Sequence, residues 1–303
     1  MSPPPPPNIV TEAADAADAG QEGEVTSKAP DSPTTSLKNH HHPHRVFKVY
    51  VTGFGSFEGI PVNASYLVAS SLPSVLPEKY IHHAPESVKS QHLQVSIIPH
   101  FEAVPVSYEK VTKLIPTLYE DLPGVDLFVH IGVMPFEYYR IEERARKGYY
   151  GPPEGNPNGR GDVDGKYPEG NEAGGAARGK VPKEVTEIVS GLDVEGICRD
   201  LENAKKESTD DFEVPRVSTD AGLYLCEFIY YNSLAESIYD DEAKYESEYP
   251  EPRPVTDPTA ETPLSSRAVF IHVPSNMTDD WLERSKETVK RIIGAIAVQR
   301  LSP

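Results

Sequence analysis

The segment Val-Asp-Leu-Phe-Val-His-Ile-Gly-Val, residues 125–133, is a short apolar run bounded by turn residues. A run of this length and composition is typical of a strand that is buried on both faces of a parallel sheet. Two more strands of the same kind are predicted at residues 46–51 and 267–273. The sequence therefore predicts a sheet whose strands are largely hidden from solvent.

Helical segments are predicted between these strands. Residues 108–119 place Val111 and Leu118 at the spacing of one helix face, and Asn63 is the expected N-cap of a helix over 63–72. Strands that alternate with helices predict an α/β fold with a largely parallel central sheet. The remaining predicted elements are helices over 185–201, 222–239 and 279–298 and a strand over 94–98.

The chain has 303 residues, of which 38% are hydrophobic and 30 are prolines. This length and composition predict one large domain with additions that do not pack. Residues 1–45, with a proline run and a histidine cluster, are expected to form a disordered tail, and order is expected to begin near Val46. Flexible insertions are predicted near residues 148–180, 205–213 and 240–265.

The formal net charge of −18 argues against nucleic acid and against an anionic membrane surface as partners. No apolar stretch approaches the length of a membrane span. Only two cysteines are present, Cys198 and Cys226, which is too few for the disulfide framework of a secreted protein. We therefore expect a protein of a reducing compartment, the cytoplasm.

Two segments carry residues suited to thiol chemistry. In residues 218–228, Ser-Thr-Asp-Ala-Gly-Leu-Tyr-Leu-Cys-Glu-Phe, Cys226 falls at the start of a predicted helix, where the helix dipole is expected to lower the pKa of the thiol. In residues 269–274, Val-Phe-Ile-His-Val-Pro, His272 interrupts an apolar strand. A cysteine with a histidine that takes its proton is the minimum for nucleophilic catalysis by a thiolate.

Read together, these segments resemble the pyroglutamyl-peptidase I family of cysteine peptidases. The matches follow the family order over residues 46–300, so the resemblance covers a domain at 46–303. The matching motifs are Val-Thr-Gly-Phe-Gly at 51–55 with Phe57, Val-Asn-Ala-Ser at 62–65, Pro-Val-Ser-Tyr at 105–108, His-Ile-Gly-Val at 130–133, Asp-Ala-Gly-Leu-Tyr-Leu-Cys at 220–226 and Phe-Ile-His-Val-Pro at 270–274.

The resemblance implies a single-domain α/β/α sandwich and an omega-peptidase that removes N-terminal pyroglutamate from peptides. It implies Cys226 as nucleophile and His272 as general base, with Phe54 and Phe57 holding the pyrrolidone ring of pyroglutamyl peptide substrates. It implies no cofactor and no metal. The sequence does not set the oligomeric state.

The third catalytic residue of the family is a glutamate that orients the histidine, and two neighbours compete for this role. Glu142 directly follows the apolar Ile141, as the family residue usually does, whereas the spacing from His130 favours Glu143. On a strand the two side chains face opposite sides, so only one of them fits. Glu142 is preferred by a small margin.

The main-chain N–H of Cys226 is the expected oxyanion donor.

Some residues depart from the family pattern. Ser56 stands where proline is common, Glu58 stands where glycine is common, and a Gly/Pro/Asn-rich loop begins at Gly148. These departures leave open a related thiol amidohydrolase with a different substrate. The undecided glutamate leaves open a second alternative, a non-catalytic binder of N-terminally blocked peptides.

Overall fold

The computed structural model describes residues 45–57, 59–81, 84–89, 92–152, 159–173, 181, 185–248, 264–265 and 267–302. Residues 1–44 of the predicted tail lie outside the described residues, as do those parts of the predicted insertions near 148–180 and 240–265 that fall in the gaps. The predictions for those segments stay predictions.

Nine strands and six α-helices are seen within the described ranges. The strands are β1 (Val46–Gly53), β2 (Gln94–Pro99), β3 (Leu127–Met134), β4 (Arg140–Glu142), β5 (Arg144–Arg146), β6 (Glu187–Ser190), β7 (Arg216–Ser218), β8 (Leu264–Ser265) and β9 (Ala268–Pro274). The helices are α1 (Ala64–Ser70), α2 (Glu86–Lys89), α3 (Tyr108–Asp121), α4 (Val194–Glu207), α5 (Leu225–Glu248) and α6 (Asp279–Leu301), with 3₁₀ turns at Glu78–Tyr80 and Glu169–Asn171.

The central sheet has six strands in the order β2-β1-β3-β9-β4-β7. Four of its five pairings are parallel and the pairing of β4 with β9 is antiparallel, so β4 and β7 run opposite to the other four strands. In this register His272 of β9 lies between Gly132 of β3 and Arg140 of β4. A separate three-stranded sheet has the order β5-β6-β8.

Helices cover both faces of the central sheet. On β3, Leu127, Val129 and Ile131 face a core shared with α1, α4 and α6, whereas Phe128 faces a second core shared with α3 and α5. All four side chains have no exposed surface, and burial of a large apolar side chain contributes roughly 1.5–3 kcal/mol. The predicted α/β/α sandwich with a largely parallel sheet is confirmed, and the strands predicted at 94–98 and 125–133 match β2 and β3 within two residues.

The turn from β1 to α1 is unusually tight. A Cβ atom on Gly53 would lie 2.5 Å from the main-chain oxygen of Ser65, so any side chain there would push the helix away. Asn63 caps α1 by accepting a hydrogen bond from Ser65 N, as the sequence predicts. The Asn63 amide also donates to the main-chain oxygen of Gly55 (3.1 Å), and Phe54 N donates to Ser65 Oγ (3.0 Å). These bonds fix the conformation of the loop that carries Phe54.

The prediction of a helix over residues 185–201 is wrong for the first half of this segment. Residues 187–190 form strand β6, which pairs with β5 on one side and β8 on the other. The helix there is α4, which starts at Val194 after the cap residue Asp193. The partner strands come from distant parts of the chain, so local apolar spacing does not reveal them.

The helix predicted over 222–239 and the insertion predicted at 240–265 also differ from the structure. Helix α5 begins at Leu225, after Gly222 (φ 97°) and Leu223 (φ 49°), whose left-handed backbone excludes an earlier start. It continues to Glu248, because residues 240–248 contain helix-favouring alanine, glutamate and lysine and no proline or glycine.

Residues 205–213, predicted as a flexible insertion, pack against the rest of the domain. Residues 205–207 complete α4, and Phe212 is fully buried. Asp210 and Asp211 form ion pairs with Arg291 and Arg284 of α6. The charges of this segment therefore attach it to the neighbouring helix.

None of the described helices is apolar over a length that would cross a lipid bilayer.

Candidate active site

His272 and Glu142 form a buried hydrogen-bonded pair. His272 Nδ1 lies 2.7 Å from Glu142 Oε1, and the two residues are 3% and 0% exposed. The antiparallel register sets Glu142 opposite Phe270, two residues along β9 from His272 and on the same face of the sheet. The main-chain oxygen of Glu142 accepts a hydrogen bond from the hydroxyl of Tyr230 on α5 (2.9 Å), which ties this strand to the helix.

Glu143, the competing candidate, connects neighbouring elements through its main chain. Its N–H donates to the Ser218 carbonyl and its carbonyl accepts from Ser190 N, each at 2.7 Å. Its side chain is half-buried, and the imidazole of His272 is bound by Glu142 instead. The structure thus brings Glu142, and not Glu143, to His272.

Cys226 is the second residue of α5, and it reaches the sheet where β3 has no side chain. A Cβ atom on Gly132 would lie 2.9 Å from Cys226 Sγ and 2.6 Å from the ring of Phe270. Gly132 is also the register partner of His272. Its missing side chain leaves room for the thiol beside the strand that carries the histidine, so the helix and the sheet deliver Cys226 and His272 to one place.

The turn before Cys226 is held by Glu227 and Arg146, which the sequence reading did not single out. The Arg146 guanidinium donates to both carboxylate oxygens of Glu227 (2.6 and 2.9 Å) and also to Asp220. Glu227 also accepts from the main-chain N–H groups of Arg146 (2.9 Å) and Leu223 (2.7 Å). Glu227 is fully buried, so this network fixes the strained turn and the start of α5.

An acidic residue in the first turn of a helix was the only local signal for this network. Its arginine partner lies 81 residues earlier in the chain, on β5. Only the fold brings the two residues together.

The surroundings of Cys226 raise the pKa of its thiol to about 12. Burial is the main cause, followed by the negative charges of Glu142 and Glu227, while the main-chain N–H of Cys226 acts in the opposite direction. The expectation that the helix start would lower this pKa is therefore wrong for the site at rest. The cysteine is a neutral thiol at neutral pH and needs a base to release its proton.

Cys226 and His272 line one cleft of about 520 Å³. Phe54, which is buried, and Phe57, which is half-buried, contribute to its wall together with Tyr224. The structure thus brings Phe54, Phe57, Cys226 and His272 to the same cleft, with Glu142 behind the histidine. A nucleophile, a histidine and a buried carboxylate beside a mostly apolar cavity are suited to covalent hydrolysis of an amide bond.

Comparison with known proteins gives a consistent set of relatives. The chain is 30% identical over 193 residues to pyroglutamyl-peptidase 1 of Homo sapiens. The aligned region covers 62% of this chain and 73% of the human protein. The chain is also 30% identical over 190 residues to pyroglutamyl-peptidase 1 of Rattus norvegicus, with coverage of 61% and 72%. No protein-family model matches the chain.

A solved structure of pyrrolidone carboxyl peptidase from the hyperthermophile Pyrococcus furiosus superposes with a TM-score of 0.53. The match covers 84% of this chain and 100% of the other at 21% sequence identity. A likeness at this level of identity concerns the fold alone.

Arg146→Gln should destabilise the protein more than Arg144→Gln. Breaking a buried ion pair costs about 3–5 kcal/mol, and because the Arg146 side chain is 30% exposed, we expect a smaller loss of roughly 2 kcal/mol. Arg144 pairs with Glu187 at the surface, where both side chains are over 30% exposed, so its loss should cost at most about 1 kcal/mol. Urea unfolding measures both variants, and equal losses would contradict the role given to Arg146.

Alkylation of Cys226 by iodoacetamide should accelerate steadily with pH. Because the folded-state pKa of Cys226 is raised to about 12, the thiolate fraction should increase by about tenfold per pH unit across roughly pH 7–9. Peptide mapping by mass spectrometry separates Cys226 from Cys198. A rate that is already at a plateau near neutral pH would show a preformed thiolate and contradict the neutral resting thiol.

Proposed function

The chain belongs to the pyroglutamyl-peptidase I family of cysteine peptidases, and from that premise we propose that Cys226, His272 and Glu142 are its catalytic residues. Its reaction is the removal of an N-terminal pyroglutamyl residue from a peptide. The observation that carries the proposal is the 2.7 Å contact between His272 Nδ1 and Glu142 Oε1 at a cleft that Cys226 also lines.

The roles follow from the chemistry of the imidazole. A carboxylate only accepts hydrogen bonds, so Glu142 favours the tautomer in which Nδ1 carries the proton. The lone pair on Nε2 is then available to take the proton of the Cys226 thiol. Because the pKa of that thiol is raised at rest, the thiol needs His272 as the base that removes its proton for attack on the substrate.

In the first step, Sγ of Cys226 forms a bond to the pyroglutamyl carbonyl carbon, and the thiol proton passes to His272. The carbonyl oxygen becomes an oxyanion, which the main-chain N–H of Cys226 at the start of α5 is suited to stabilise. The C–N bond then breaks, and the imidazolium gives its proton to the departing peptide amine. Water, deprotonated by His272, hydrolyses the thioester and releases pyroglutamate and the free thiol.

The pyrrolidone ring has no charged amine, so its pocket needs apolar walls and a few hydrogen-bonding groups. Phe54 and Phe57, which line the cleft with Cys226, are the proposed contacts for this ring. The hydrogen bonds that Asn63 and Ser65 make to the loop 54–57 support a fixed position for Phe54.

We further propose a cytoplasmic location, because both cysteines are free thiols and the mechanism requires a reduced Cys226.

The purified, reduced protein should release aminomethylcoumarin from pyroglutamyl-aminomethylcoumarin. Cys226→Ala should lower the rate by at least about a thousandfold, since the residues of such a triad act as a unit. Cys198→Ala is the matched control, because Cys198 lies in the core on α4, across the sheet from the cleft. Folded wild-type protein that fails to turn over pyroglutamyl substrates, or a fully active Cys226→Ala variant, would refute the proposal.

Glu142→Gln and Glu143→Gln form a matched pair that tests the third residue. The neutral amide at position 142 no longer stabilises the imidazolium and allows the wrong tautomer, so kcat should decrease by roughly a hundredfold or more. Glu143→Gln should retain near-normal kcat, since the main-chain bonds of Glu143 are unaffected. The reverse result would move the triad to Glu143, and an unfolding curve of each variant excludes a folding defect.

A further inference from the structure

One wall of the cleft belongs to a cluster of two aromatic rings and two guanidinium groups, and the mechanism above does not use this cluster. Phe136 and Tyr138 stack with their ring centroids 5.3 Å apart. The Arg140 guanidinium lies 5.3 Å from the centroid of Phe136 and 5.1 Å from that of Tyr138. The Arg216 guanidinium lies 4.0 Å from the centroid of Tyr138. These four residues are called the cationic shelf, and Phe136 and Arg140 line the cleft itself.

The charge of the cationic shelf is not neutralised by the described part of the chain. Neither Arg140 nor Arg216 forms an ion pair with a described carboxylate, and the hydrogen bond that Arg140 donates goes to the neutral hydroxyl of Tyr138 (2.7 Å). An arginine has five N–H donors, and the described residues accept a hydrogen bond from one of those on Arg140. Asp220, the acidic residue among the described residues that line the cleft, is already bound by Arg146.

The geometry puts the cationic shelf on the side of the departing peptide. Arg140 is the cross-strand partner of His272, and both side chains stand on the same face of the sheet, with Cβ atoms about 5 Å apart in such pairs. His272 must protonate the departing amine, so the first residue after pyroglutamate passes beside this histidine. Phe54 and Phe57, the proposed contacts of the pyrrolidone ring, belong to the loop after β1 instead.

We propose that Arg140 of the cationic shelf binds a carboxylate of the departing peptide, so that the enzyme prefers acidic leaving groups. The carboxylate is either the side chain of an acidic residue directly after pyroglutamate or the free α-carboxylate of a pyroglutamyl dipeptide. The Arg140 guanidinium packs beside two rings and is hydrogen-bonded to the hydroxyl of Tyr138, and these contacts preorganise its planar fork for a carboxylate. This inference rests on the proposed function.

The proposed preference for acidic leaving groups is local to the cleft, because the protein as a whole is strongly acidic. With a formal net charge of −18, the surface as a whole repels acidic peptides. At short range, a half-buried guanidinium that contacts the carboxylate directly outweighs these distant charges, which salt screens beyond about 10 Å. An acidic leaving group is therefore favoured once the peptide is bound in the cleft.

Two matched pairs of peptides test the proposal and separate the two sources of the carboxylate. Pyroglutamyl-glutamate amide is compared with pyroglutamyl-glutamine amide, and pyroglutamyl-alanine as free acid is compared with its amide. We expect the acidic member of at least one pair to have a kcat/KM about tenfold higher, and this ratio should shrink as salt is raised. Chromatographic measurement of released pyroglutamate gives all four values.

Variants of Arg140 assign the preference to this residue. The ratio within each pair should decrease to near unity in Arg140→Gln, and taking the ratio cancels any general loss of activity in the variant. Arg140→Lys keeps the charge without the planar fork and should retain part of the preference. Arg199→Gln, which removes an exposed arginine on α4 on the opposite face of the sheet, is the control that keeps the wild-type ratio.

The outcomes distinguish this inference from the proposed function. Active wild-type protein with no acid preference in either pair, or a preference that Arg140→Gln leaves unchanged, overturns the role of the cationic shelf and leaves the peptidase intact. Folded protein that cleaves none of the four peptides overturns both. If Arg140→Gln does not fold, the wild-type ratios, their salt dependence and Arg140→Lys still decide.

Discussion

The contact between His272 and Glu142 depends on one antiparallel pairing in a sheet that is otherwise parallel. Parallel strands gather their carboxyl ends at one edge, which places Gly132 and His272 side by side at the site. A strand that enters from that edge and runs back along β9 can bring a carboxylate behind the histidine. Strand β4 does this, so Glu142 reaches the buried side of the imidazole and remains shielded from water.

Glu227 has two effects that oppose each other in the resting enzyme. Its carboxylate, held by Arg146, fixes the strained backbone at Leu223 and thereby the position of Cys226. The same negative charge helps to keep the thiol protonated. Precise placement of the nucleophile is thus obtained with a thiol of low intrinsic reactivity, and such a thiol is protected from oxidation and chance alkylation until a substrate engages it.

The elements that could be predicted from sequence are those whose signal is local. The buried parallel strands appear as apolar runs, and Asn63 appears as a cap before its helix. The choice between Glu142 and Glu143 could not be settled, because strand alternation separates two faces but does not say which one meets His272, 130 residues away. Strand β6 was missed for the same reason, since its partners β5 and β8 lie far from it in the chain.

Strand β4 is only three residues long, and its ends point to the same face of the sheet. Arg140 and Glu142 are therefore linked through the single spacer Ile141, whose side chain fills the opposite core. A one-residue insertion or deletion just before this strand would turn both charges into that core and bring an apolar side chain to the histidine. Length changes between residues 135 and 143 should therefore be eliminated by selection, because they would separate both charges from the histidine.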